Sequence, residues 1–158
     1  MKNKILLASD HAGFELKNKI FQFLKDEGFD VTDMGAHVMD KDDDYPKIMI
    51  PVAMRIVSNP ENTKAIIFGK SGQGEAMIVN RFPGIRGAVY YGDTKDGNNT
   101  GMEIIRLSRE HNDANVLSIG AGFVNEEEAI KAVKLWVSTP FSGDPKHMRR
   151  IEMLDNIE

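Results

Sequence analysis

Residues 66–77, Ile66-Ile67-Phe68-Gly69-Lys70-Ser71-Gly72-Gln73-Gly74-Glu75-Ala76-Met77, bring oxyanion donors and a proton acceptor into one short turn. Glycine has no side chain to block an approach, so bare backbone N–H groups can converge on a negative oxygen. Ser71 adds a hydroxyl and Glu75 a carboxylate. A base beside an oxyanion site is what proton removal alpha to a carbonyl requires. The segment therefore reads as part of an enolising enzyme rather than a nucleotide binder. Gly69 and Gly74 have the Walker spacing, but Glu75-Ala76 stands where Lys-Ser/Thr would hold phosphate and magnesium. The same six residues do not spell G-x-G-x-x-G either. Taken alone, Glu75 is an ordinary solvated acid in a first helical turn, attracted by the helix dipole. That dipole would lower its pKa and burial would raise it, so the balance is open.

Two histidine contexts and one basic cluster could serve such a site. Asp10-His11 follows the first apolar run, where Asp10 can cap a helix while His11 reaches a phosphate. His111 lies in Ser108-Arg109-Glu110-His111-Asn112-Asp113-Ala114-Asn115, which by itself reads as a hydrogen-bonded helix end. Lys146-His147-Met148-Arg149-Arg150 is either a solvated helix face or a source of cations for a phosphate. The four histidines, at 11, 37, 111 and 147, show no H-x-x-x-H or H-E-x-x-H spacing, and there is no cysteine. No metal site, thiol base, disulfide or cofactor is expected.

The elements that must position these residues alternate in type. Strands are expected over 4–8, 64–68, 85–90 and 115–119, with a more exposed one beginning at 29–31, and helices over 14–25, 46–57, 75–80, 102–110 and 126–137. A helical tail covers 146–157, and loops cover 35–44 and 92–101. Gly28 should stop the first helix. Strands separated by helices imply a parallel sheet with helices on both faces, an α/β fold whose ligands sit beyond the carboxyl ends of the strands.

The chain has 158 residues, a net charge of −4, 41% hydrophobic and 28% charged residues, which fit one soluble globular domain over 1–158. The acidic balance argues against nucleic acid or anionic membrane as a partner. The N-terminal apolar run is too short for a signal peptide and none spans a membrane, so a cytoplasmic location is expected.

Taken together, Ser9-Asp10-His11-Ala12-Gly13, Asp44-Tyr45-Pro46, the glycine loop, Asn80 with Gly84-Ile85-Arg86, and residues 108–117 resemble the ribose-5-phosphate isomerase type B and galactose-6-phosphate isomerase family. The matches occur in family order and cover nearly the whole chain. The resemblance implies a three-layer α/β/α sandwich with a five-stranded, Rossmann-like parallel sheet. It also implies a homodimer, or a dimer of dimers, with sites completed across the interface, and metal-independent aldose–ketose isomerisation of a phosphosugar through a cis-enediolate. Ribose 5-phosphate and ribulose 5-phosphate are the expected pair. By the same resemblance, His111 assists ring opening and Ser71 with the amides of Gly72 to Gly74 holds the enediolate oxygen. Glu75 is the base, where many members place a cysteine at the position of Gly69. Asp10 belongs to the catalytic set. Asn112 and Tyr45 contact the sugar, and His11 holds the phosphate with His147 and Arg150 of the partner chain.

Gly122 stands where the family often has a phosphate-binding arginine, Lys146 replaces another arginine, and the loop 93–101 is longer than is typical. Arg149 is the candidate to compensate. These departures keep two rivals in view: a different phosphosugar, a hexose 6-phosphate or tetrose phosphate, and a non-catalytic phosphosugar-binding protein.

Overall fold

A computed structural model describes residues 4–93 and 100–157. Its strands are β1 (Lys4–Ser9), β2 (Val31–Asp33), β3 (Thr63–Gly69), β4 (Gly87–Tyr90) and β5 (Val116–Gly120). All pair in parallel, in the order β2-β1-β3-β5-β4. The helices are α1 (Phe14–Asp26), α2 (Tyr45–Val57), α3 (Gln73–Val79), α4 (Thr100–Glu110), α5 (Glu126–Ser138) and α6 (Pro145–Asp155).

Alternation along each strand divides the core. Ile5, Leu7, Ile66, Phe68, Leu117 and Ile119 face α1, α4 and α5, and meet Leu16, Ile20, Ile105 and Trp136. Leu6, Ala8, Ala65, Ile67 and Val116 face α2, and meet Met49, Val52, Ala53 and Ile56. Both faces are covered, which is why the central strands read as continuous apolar runs.

Element boundaries depart from the sequence expectation for local reasons. Phe29 still donates to Leu24 O at the end of α1, beyond the positive-φ Gly28, so β2 begins at Val31 instead of 29. Ile85 turns back to Phe82 O and Arg86 N is taken by the Asn115 side chain, so β4 begins at Gly87 instead of 85. Thr100 opens α4 two residues before the expected start. Of the long loop, residues 94–99 lie outside the described residues.

Candidate active site

The turn after β3 is held against β5. Ala121 N donates to Gly69 O at 2.8 Å and Gly122 N to Lys70 O at 2.9 Å. The Ser118 hydroxyl donates to Gly72 O at 2.6 Å. Gly72 has φ +74, and a β-carbon there would lie 3.0 Å from Ser118 Oγ and 3.1 Å from the Ile119 backbone, so both conformation and space demand glycine. The turn opens α3, whose first turn carries Glu75, only 4% exposed. The Glu75 carboxyl lies where a Gly69 β-carbon would be, and the Tyr45 ring from the start of α2 lies over Gly74.

Beside this turn, β1 delivers Asp10 and His11. Asp10 Oδ1 accepts from Ala12 N at 2.9 Å and Gly13 N at 3.2 Å, the capping role its position suggests. His11 Nδ1 is 2.6 Å from Asp43 Oδ1. A carboxylate can only accept, so the imidazole donates. Burial pushes the Glu75 carboxyl above its usual range, against a smaller pull from the backbone amide of Glu75 itself; the acids Asp10 and Asp43 add to the rise. Burial thus outweighs the helix start. The His11 imidazole is also raised, chiefly by its hydrogen bond to Asp43, with partial desolvation opposing and the charges of Asp10, Asp43 and Asp40 assisting.

The remaining expected residues gather elsewhere. His111 and Asn112 follow α4 and precede β5, so they stand at the amino edge of the sheet. The His147 ring of α6 stacks on His111, with centroids 4.2 Å apart and planes 17° from parallel. His147 is held below the usual histidine pKa by burial first, then by His111, Lys146 and Arg150, with Asp144 opposing. Arg149 and Arg150 are exposed on the same helix. The Arg86 guanidinium fixes this group: it donates to Asn112 O at 3.1 Å, Asp113 O at 3.2 Å and Asp155 Oδ2 of α6 at 2.8 Å.

Within one chain, then, the candidate residues form two clusters. Asp10, His11, Tyr45, Ser71, Gly72, Gly74 and Glu75 share the carboxyl edge; His111, Asn112, His147, Arg149 and Arg150 share the amino edge. Five residues of β5, at about 3.3 Å each, separate the two edges. The expectation that ligand residues follow the strands holds for the first cluster and misses the second. Within one chain, His111, Asn112, His147 and Arg150 thus lie at the opposite edge of the sheet from Glu75.

Three residues of this geometry carry no role in the sequence reading. Ser118 was findable as the one hydroxyl inside the apolar run of β5. Asp43 sits among Asp40, Asp42 and Asp44 with nothing to distinguish it. Arg86 was seen within a motif but given no task.

Comparison with known proteins bears on this geometry. A family model described as Ribose/Galactose Isomerase matches residues 5–154. The ribose-5-phosphate isomerase B of Mycolicibacterium paratuberculosis is 39% identical over 155 residues, 98% of this chain and 91% of that protein. A crystal structure of ribose-5-phosphate isomerase B from Mycoplasma genitalium with bound ribulose-5-phosphate superposes with a TM-score of 0.88 at 32% identity, covering 98% of this chain and 95% of that one. The corresponding Thermotoga maritima structure gives 0.85 at 34%, covering 99% and 100%.

Proposed function

The chain belongs to the ribose/galactose isomerase family, and from that premise we propose that it interconverts ribose 5-phosphate and ribulose 5-phosphate. It is a sugar-phosphate aldose–ketose isomerase. Glu75 takes the C2 proton of the open-chain aldose, the electron pair forms C1=C2, and negative charge falls on O1. Ser71 and the amides of the Gly72–Gly74 turn stabilise that oxygen. Return of the proton to C1, with the O2 hydroxyl proton passing to O1, gives the ketose.

The observation that carries this reading is an enclosed carboxylate of raised pKa, packed against a glycine turn. A carboxylate so placed is a stronger base than one in water. Tyr45 and Asn112 contact the sugar, and Asp10 sits beside the base. In a homodimer, His111 of a second copy opens the furanose ring and its Asn112, His147 and Arg150, with Arg149 nearby, complete the sugar and phosphate contacts around His11. α6 is the segment that reaches across. Among the described residues no helix is long and apolar enough to cross a membrane, and a cytoplasmic location goes with this reading.

Isomerisation of ribulose 5-phosphate in deuterium oxide tests it. Deuterium at C2 of the ribose 5-phosphate formed supports proton transfer through solvent-exchanging Glu75; absence of product refutes the assignment. Gly122 and its packing on Lys70 favour a second reading, a phosphosugar of different length. A kcat/KM panel over aldose phosphates of four to six carbons decides between them.

A further inference from the structure

Asp43 has no part in the chemistry above, yet it hydrogen-bonds His11 and acts by charge on Glu75. Its Oδ1 accepts from His11 Nδ1 at 2.6 Å, and its side chain is only 11% exposed. Its Oδ2 is enclosed and accepts no hydrogen bond from any described residue, so His11 is the group that answers its charge. One donor atom from each of Asp10, His11 and Asp43 lies within 4.8 Å of the others. Asp43 also acts on Glu75 by charge.

We propose that Asp43 is a positioning residue that holds His11 as a cation with Nε2–H directed to the substrate phosphate, and that its charge sets the pH window of turnover. The inference rests on the isomerase reading and on His11 as a phosphate ligand. With Nδ1–H committed to a carboxylate, the ring cannot rotate without breaking a charge-assisted bond, and Nε2 is left free to donate. A cationic His11 suits a phosphate dianion better than a neutral one.

The signs follow from the neighbours. Facing His11 are Asp10 at the end of β1, and Asp40 and Asp43 from the loop before α2; Asp10 and Asp43 also bear on Glu75 of α3. Asp43 raises His11, so the phosphate grip survives to higher pH and the basic limb of kcat/KM lies higher. Asp43 raises Glu75 as well, so the base becomes available at higher pH and the acidic limb also lies higher. Removing the charge should move both limbs toward acid together. A merely structural defect would lower the profile without displacing it.

The test is the pH profile of kcat/KM for ribose 5-phosphate in wild-type protein, Asp43→Asn and the control Asp40→Asn. Asp43→Asn is expected to shift both limbs to lower pH and raise KM at pH 8 about tenfold, the loss of one charge-assisted hydrogen bond, with kcat at the new optimum largely kept. Asp40 lacks the hydrogen bond and is the smallest of the charges on His11, so Asp40→Asn should shift the basic limb far less and leave the acidic limb in place. Limbs that stay in place in Asp43→Asn overturn the proposal. Should that variant fold poorly, NMR titration of the unmodified protein decides: His11 is expected to titrate above the ordinary value of about 6.5 with Nδ1 protonated, and titration at or below it overturns the proposal. If no phosphosugar is isomerised, the functional assignment fails, and the titration still judges the His11–Asp43 pair on its own.

Discussion

The carboxyl group of Glu75 fills the space that a β-carbon on Gly69 would occupy. By the sequence resemblance, Gly69 is the position at which many members of the family place a cysteine base. In the proposed mechanism Glu75, six residues along and in the next helix, brings its carboxyl to the place a side chain on residue 69 would take. Glycine at 69 and glutamate at 75 make sense only as a pair.

Gly69→Ala should consequently behave as a catalytic defect although residue 69 itself does no chemistry. The added methyl must push the Glu75 carboxyl from its seat. Since a positioned base contributes about 10²–10⁴-fold, kcat is expected to fall by about that range while ribulose 5-phosphate still binds. Steady-state kinetics with a parallel binding titration checks this, and a near-normal kcat would show that the carboxyl tolerates displacement.

The separation of His111 from Glu75 within one chain gives a test by subunit mixing. Glu75→Gln and His111→Ala dimers are each impaired at both sites. On statistical exchange half the dimers are mixed, and each mixed dimer has one intact site of two, so about a quarter of wild-type activity should return. Activity that never rises above the average of the parents would place both groups in one chain's site.

Much of this was legible in the sequence. The glycine turn after an apolar strand and before a helix is marked by its own residues, and apolar periodicity points to each of the five strands and six α-helices among the described residues. The boundaries at 29–31 and 85–87 were not legible, since side-chain amides and a helix end competed for the backbone there. Nor was the division of the site: periodicity places His111 before a strand, but only the parallel register of β5 on β3 shows that this is the far edge of the sheet. The His11–Asp43 contact joins residues 32 apart along the chain, through a polar loop without periodicity, and no local pattern marks it.

The pH dependence has a definite sign. Burial and Asp10 both raise Glu75, and the base works only when ionised. Activity should therefore fall as pH drops through a value above the ordinary glutamate range. Asp10→Asn keeps an oxygen to cap the His11–Gly13 turn but removes the charge, so the acidic limb of kcat should move to lower pH. An acidic limb that stays put would remove Asp10 as an influence on the base.

Gly122 illustrates why restoring a family residue need not restore its role. A β-carbon at 122 would lie 3.0 Å from Lys70 O and 3.1 Å from Lys70 Cγ. Gly122→Arg alone is expected to disturb the glycine turn and lower kcat/KM for ribose 5-phosphate. Adding Lys70→Gly removes one of the two close contacts and should recover part of the loss. Improvement by the single substitution would mean that the turn yields easily.

The most direct measurement is turnover of ribulose 5-phosphate by Glu75→Gln, set beside its binding affinity. The account expects kcat to fall by at least about 10²-fold with affinity kept within a few-fold, because the amide fills the same space but cannot take a proton. Turnover close to that of the unaltered protein would contradict it.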